Sequence, residues 1–357
     1  MSAGSRPRPI EVFTSPHAKG ELSTEDIMRN VVYALLPVVA VAVMTFGISA
    51  LLLVAATTLA SVLTEHVICK LTRKESTIGD WSATITGMLL ALTLPPGFPL
   101  WMAAVGGVIA IALGKALFGG LGCNLFNPAL VGRAVLQASF PVAITTWTPA
   151  GVPGRFTEFI PSTLALPFMS PALVDEYVKR AVDGFTGATA LSLFKFGDPT
   201  QAPGVTKLFV GSVAGSAGET SALIILVCGA YLAARKMMDW RIPTGMLLSV
   251  FVFSSVFHLV NAAKYPTPLF MLFSGGLMFG AVFMATDMVT SPVTPLAVWI
   301  YGAFLGFMTV LIRLKGGLPE GVMYAILLGN AIIPLINLVT QPRIYGAKKA
   351  KKVLIRK

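Results

Sequence analysis

Long apolar runs, separated by short polar or glycine-rich breaks, fill the chain from Val31 to Thr340. About twenty apolar residues in a helix cross the hydrocarbon of a bilayer. The pattern predicts spans at Val31–Ser49, Ala50–Val67, Ser82–Leu94, Trp101–Phe118, Ala129–Phe140, Glu219–Ala234, Ile242–Val260, Pro268–Thr286, Pro295–Leu314 and Gly321–Thr340. Ser82–Leu94 and Ala129–Phe140 are too short to cross alone. Half-length helices persist at membrane depth only where protein or a water-filled cavity covers their ends. The expected class is an all-α integral membrane protein with about ten transmembrane helices. Composition agrees, with 55% of the 357 residues hydrophobic and 12% charged, where a soluble domain carries about a quarter charged.

Charge orients the spans. Arg6, Arg8, Lys19 and Arg29 precede the first. Lys70, Arg73 and Lys74 follow the second, Arg235, Lys236 and Arg241 the sixth, and Arg343, Lys348, Lys349, Lys351 and Lys352 the last. With an even number of spans and both termini cytoplasmic, every cluster falls inside. The net charge of +11 is thereby explained without nucleic acid. Five regions follow: a cytoplasmic tail over 1–30 with no signal-peptide pattern, a first membrane half over 31–141, an extracytoplasmic segment over 142–218, a second half over 219–340, and a basic cytoplasmic tail over 341–357. Five spans per half means that the halves insert in opposite senses, as in inverted-repeat transport folds. Gly119-Gly120-Leu121-Gly122 and Gly275-Gly276-Leu277 hint at the pairing.

Ionisable residues at membrane depth are the next signal, because an unpaired charge there costs several kcal/mol. Arg133, in a half-length helix after Asn127-Pro128, needs a partner. Lys115 and Asp287 lie at span ends, where pairing, snorkelling and a place on an ion path are all open. Glu219 is expected to serve the positive end of its helix. Gly119, Gly120 and Gly122, beside Asn124 and Asn127, suit either a broken helix lining a cofactor cavity or close helix packing. Cys69, Cys123 and Cys228 have no CxxC spacing, and His66 and His258 stand far apart. No metal site is expected.

DGFTGATALS, from Asp183 to Ser192, occupies the extracytoplasmic segment just past a predicted helix over Ala172–Val182. Gly184, Gly187 and Ala188 leave a slim backbone around the threonine hydroxyls. One account is a surface turn in which Thr186 or Thr189 caps a following helix, Ala190–Phe196. The other is an attachment site that an outside enzyme activates, since a threonine hydroxyl alone is a poor nucleophile.

This stretch resembles the flavinylation motif Asp-Gly-x-(Ser/Thr)-Gly-Ala-Thr. Phe118–Leu136 (FGGLGCNLFNPALVGRAVL), Gly215–Leu223 (GSAGETSAL), Met278–Pro292 (MFGAVFMATDMVTSP) and Pro319–Ile336 (PEGVMYAILLGNAIIPLI) are similar to the D subunit of Rnf electron-transport complexes and to the B subunit of the Na⁺-pumping NADH:quinone oxidoreductase. Met288 departs from the proline expected after Ala-Thr-Asp. The resemblance implies FMN held by a phosphoester on Thr189, with Asp183, Gly184, Thr186, Gly187 and Ala188 as the recognition sequence for a flavin transferase. It also implies a non-covalent riboflavin among the helices. The implied setting is a bacterial inner-membrane complex that couples ferredoxin:NAD⁺ electron transfer to Na⁺ or H⁺ transport, with iron–sulfur and second flavin-carrying subunits as partners, lipid around it, and the flavin loop on the periplasmic face. The chain carries no complete active site of its own. Two alternatives are a quinone-reducing Na⁺ pump subunit and a channel or transporter without redox role, since the five-plus-five organisation resembles the urea-channel fold.

Overall fold

The computed structural model describes residues 23–73, 77–167, 189–197, 200, 202–211, 213–219, 221–262 and 264–341. They are helical, with no strand among them. The first set comprises α1 (Thr24–Phe46), α2 (Ile48–Leu71), α3 (Ser82–Thr93), α4 (Leu100–Gly114) and α5 (Pro128–Ser139), followed by the short α6 (Pro141–Thr145). Two short helices, α7 (Ala190–Phe196) and α8 (Val205–Val210), lead to the second set. That set comprises α9 (Ala222–Ala234), α10 (Arg241–Val260), α11 (Pro268–Phe273), α12 (Leu277–Phe279, running on as a π-helix over Gly280–Met284), α13 (Pro295–Lys315) and α14 (Val322–Thr340).

Among the described residues, six helices are long and apolar enough to cross a membrane: α1, α2, Leu100–Phe118 (α4 with the turn after it), α10, α13 and α14. Their lengths follow the apolar runs, and local chemistry sets their ends. Ser23 caps α1, its Oγ accepting from the Asp26 N–H at 3.1 Å. α5 starts at Asn127-Pro128, where the Asn127 side chain accepts from the Ala129 N–H at 3.1 Å and proline takes the first helical position. α3 stops before Pro95-Pro96, and its end is held by the other set: the Ala217 and Gly218 N–H groups donate to the Leu94 and Leu92 carbonyls at 3.0 and 2.6 Å. Residues 217–218 therefore lie against the helices and not apart from them.

Three expected elements differ. The first helix begins at Thr24, seven residues before the predicted span. The sixth span is helical only from Ala222. The eighth breaks at Ser274-Gly275-Gly276, where Gly275 adopts φ +63°, a left-handed conformation that glycine takes without a Cβ clash.

The two sets pack in the same order. α2 lies against α3 and α4, and α4 against α5; likewise α10 lies against α11 and α13, and α13 against α14. A single apolar core runs through both, from Leu35, Leu53 and Leu90 to Ile225, Met246, Tyr301 and Ile326. The sets meet where α1 packs on α9 and α5 on α14.

Candidate functional site: two polar cavities in the bundle

Thr189 is the N-cap of α7. Its Oγ1 accepts from the Ser192 N–H at 3.3 Å and lies 3.1 Å from Ser192 Oγ, and the residue is 4% exposed. Of the two accounts left open for it, helix capping is realised. Asp183, Gly184, Thr186, Gly187, Ala188 and the helix expected over Ala172–Val182 lie outside the described residues. The last turn of α7 is pinned to the bundle. Lys195 Nζ donates to the Gly316, Leu318 and Ile312 carbonyls at 2.5, 2.9 and 3.4 Å, at the C-terminal end of α13 and the turn beyond it. An ammonium at a helix C-terminus meets the negative end of its dipole. Burial holds the Lys195 pKa below the ordinary lysine value, and the three carbonyls compensate that burial with hydrogen bonds. Phe194 adds a ring contact with Phe270 of α11, centroids 5.6 Å apart.

Beside α7 opens a cavity of about 250 Å³, lined among others by Ser192, Arg133, Gln137, Glu219, Gly276 and Glu320. Arg133 finds the partner its burial demands: Nη2 stands 2.9 Å from Glu320 Oε2, across 187 positions of sequence. Arg313 of α13 is buried on the same side, donating from Nη1 to the Met271 carbonyl at 2.6 Å and from Nη2 to the Ser274 carbonyl at 2.8 Å. It thereby satisfies backbone groups freed by the break between α11 and α12. Glu219 does not serve the start of its helix. Ser221 caps α9, accepting from the Ile224 N–H at 3.4 Å, while Glu219 Oε2 accepts from the Ser216 N–H at 3.3 Å. Its helix starts three residues later than expected, so the carboxylate turns into the cavity.

At the opposite end of the bundle lies a smaller cavity of about 90 Å³, lined by the first turns of α1 and by Ser82, Lys115, Asn124, Asn127 and Asp287 among others. Lys115 donates to Glu65 Oε1 at 2.6 Å and to the Ser82 hydroxyl, and the Thr77 hydroxyl donates to the same Glu65 oxygen at 2.5 Å. Asp287 does not snorkel. It accepts from Thr290 Oγ1 at 3.0 Å and from the Val289 N–H at 3.4 Å, closing its own turn. Asn127 donates to the Met284 carbonyl at 3.2 Å. Gly119 and Gly120 line neither cavity. They turn the chain after α4 with φ of +119° and +112°, and a Cβ on Gly120 would meet nothing within 4 Å. Turn geometry, and neither cavity lining nor close packing, explains that glycine.

Between the cavities the sets are stitched by Asn330, 3% exposed on α14. With its amide oxygen toward α5 it accepts from the Asn127 N–H at 3.1 Å and donates to the Ile326 and Thr290 carbonyls at 3.2 Å. The buried Tyr301 hydroxyl stands 2.9 Å from the same amide. Sequence pattern does not single out Glu65, Arg313, Glu320 or Asn330. Each lies inside or beside an apolar run, and only its cross-chain partner marks it.

Residues 11–346 match the model of the NQR2, RnfD, RnfE family. The chain belongs to that family. It is 44% identical over 345 residues (96% of this chain, 97% of the relative) to the D subunit of the Na⁺-translocating ferredoxin:NAD⁺ oxidoreductase complex of Acetobacterium woodii. It is 39% identical over 338 residues (95% and 96%) to the D subunit of the proton-translocating ferredoxin:NAD⁺ oxidoreductase complex of Clostridium ljungdahlii. It is 35% identical over 352 residues (96% and 100%) to the D subunit of the ion-translocating oxidoreductase complex of Yersinia enterocolitica. These relatives are subunits of ion-translocating oxidoreductase complexes, and the multi-helix apolar bundle is that of a multi-pass membrane protein.

Proposed function

We propose that this chain is the redox D subunit of a Rnf-type complex that couples ferredoxin:NAD⁺ electron transfer to Na⁺ or H⁺ transport, and that it carries FMN as a phosphoester on Thr189. The observation that carries the reading is Thr189 itself. The threonine that ends the Asp-Gly-x-Thr-Gly-Ala-Thr stretch caps a short helix held on the bundle by Lys195. Esterification would take the Thr189 hydroxyl proton and leave the Ser192 N–H and hydroxyl free to donate to phosphate oxygens, which are strong acceptors. A flavin exchanges one or two electrons, and the protein supplies its position and electrostatics. Here α7 supplies position, and the covalent link keeps the group from diffusing off the periplasmic face.

A non-covalent riboflavin among the helices belongs to the same reading. The Lys115-side cavity, at about 90 Å³, is smaller than the ~300 Å³ at which small-molecule pockets begin, so riboflavin does not fit it without its walls parting. The partners are the remaining complex subunits, among them iron–sulfur and second flavin-carrying subunits, and a flavin transferase for maturation.

The same reading takes the two helix sets as five-span halves inserted in opposite senses, with both termini cytoplasmic. Supporting it, Gly119-Gly120-Leu121 precedes Gly132-Arg133-Ala134 by the same interval at which Gly316-Gly317-Leu318 precedes Gly329-Asn330-Ala331. The halves touch reciprocally at these places, Arg133 reaching the start of the α14 region and Asn330 the start of α5. Gly316-Gly317, following α13 as Gly119-Gly120 follows α4, is therefore a better match for Gly119-Gly120 than Gly275-Gly276.

The test is in-gel flavin fluorescence and peptide mass on chain made with its flavin transferase. The parent band should fluoresce, the peptide containing Thr189 should carry one FMN phosphoester, and Thr189→Ala should be dark. A dark parent would overturn the reading in favour of a pore without redox role.

A further inference from the structure

Glu219 is a half-buried acid, its Oε1 fully enclosed, with no basic side chain in direct contact among the described residues. Arg133 is committed to Glu320 Oε2, and both η nitrogens of Arg313 to carbonyls. Glu219 Oε2 has one weak donor, the Ser216 N–H at 3.3 Å, and Oε1 is buried with no hydrogen-bond partner at all. Two glycines make room for this carboxyl. A Cβ on Gly215 would stand 2.9 Å from Oε2, and a Cβ on Gly276 would stand 2.9 Å from Oε1. The chain has thus cleared space on both flanks of a carboxyl and left one oxygen unanswered.

The surroundings decide what could answer it. An ionised carboxylate with an empty lone-pair site in a low-dielectric interior is costly, and a proton removes that cost directly. An alkali cation would need several further oxygens, and the same side of the bundle holds two guanidiniums. Arg133 faces the cavity from α5, its Nε also buried and unpartnered, and Arg313 presses on the helix break from α13, where its Nη2 would lie 3.2 Å from a Cβ on Gly275. From the loop before α14, Glu320 is the other titratable group facing the cavity, and its Oε1 is unpartnered as well. α7 brings Ser192 to the wall, and the α6 region brings Thr145. Arg133 is already paired with Glu320, and the Glu320 carboxylate on the same cavity disfavours a second negative charge there, so a proton on Glu219 relieves both that repulsion and the unanswered lone pair.

We propose that Glu219 is a proton-binding carboxyl of the cavity beneath Thr189: it holds a proton on Oε1 and exchanges it with water in that cavity. The step is simple acid–base exchange, in which the O–H bond of the carboxylic acid breaks, the proton passes to a cavity water, and the electron pair stays on Oε1. The site stands whether or not Thr189 carries a flavin, so the two readings fail separately.

The probe is dicyclohexylcarbodiimide, which adds to protonated carboxyls in apolar surroundings, applied to the chain within its membrane complex and read by peptide mass. An adduct on Glu219 is expected in mildly acidic buffer, fading as the buffer is made alkaline and unchanged when sodium replaces choline at constant ionic strength. Glu219→Gln should abolish that adduct. Protection by sodium would overturn the proposal in favour of an alkali-cation site. Absence of the adduct at acidic pH, with Glu219 labelled by the same reagent after detergent denaturation, would overturn it outright. The same digest reports the mass of the Thr189 peptide, so a bare Thr189 with a labelled Glu219 removes only the flavin reading.

Discussion

The two ends of the bundle bury charge in different ways. On the Lys115 side, one lysine and one glutamate from adjacent helices of a single set, α2 and the end of α4, make a tight pair with both side chains 5% exposed. On the Thr189 side, Arg133 and Glu320 come from opposite sets, are more open at 10% and 19%, and share their cavity with the unpaired Glu219. The first pair is the tighter: the Ser82 hydroxyl accepts from Lys115 Nζ and the Thr77 hydroxyl donates to Glu65 Oε1, which leaves Glu65 Oε2 as the one orphan oxygen of the pair. The second is left open, with orphan atoms on Arg133, Glu219, Glu320 and Arg313. A tight buried pair within one set holds helices in place. An open group of charges around a cavity of about 250 Å³ has spare hydrogen-bonding capacity for water and protons.

That contrast can be broken by mutation. Lys115→Met should have the largest effect, because it strands the buried Glu65 without its ion-pair partner, leaving it only the Thr77 hydroxyl. Removing one partner of a buried pair costs about 3–5 kcal/mol, seen as a large fall in the thermal midpoint in detergent, and Glu65→Leu added to it should recover most of the loss. Arg133→Met should cost less, roughly 1–3 kcal/mol, the penalty of an unsatisfied polar group, because cavity water can reach Glu320. If Arg133→Met destabilises as much as Lys115→Met, the open cavity is dry and the comparison fails. Gly276→Ala tests the space cleared for Glu219. A methyl there meets the mobile end of the Glu219 side chain, which can swing into the cavity, so the cost should be about 1 kcal/mol, comparable to the ~1 kcal/mol of positive-φ strain in Gly120→Ala, which has open space for its methyl. Smallest is Lys195→Met, which frees three carbonyls that water at the bundle end can recover. We expect about 1 kcal/mol or less in global stability but faster hydrogen exchange in α7, and Lys195→Arg should restore protection.

Much of this molecule is legible without coordinates. Apolar periodicity places the long helices α2, α10, α13 and α14 within a few residues, because a bilayer-length run has one stable solution, a helix that satisfies its own backbone. The Asn127-Pro128 start of α5 and the Thr189 cap of α7 are local chemistry too, each settled by a side chain reaching two or three residues along. Arg133 could be singled out as a charge needing a partner, since burial cost depends on the residue alone.

What only the tertiary structure decided is who answers whom. Nothing local joins Arg133 to Glu320, Asn127 to Asn330, or Lys195 to the end of α13, because those contacts arise when separate helices pack and each apolar stretch is compatible with many neighbours. For the same reason the break at Ser274-Gly275-Gly276 was hidden inside an apolar run. The helix opens there because Arg313 takes up the Met271 and Ser274 carbonyls. Local pattern determines which segments become helices and what each terminus needs. The fate of a buried charge is set by the partner that packing brings to it, and that is a property of the assembled bundle.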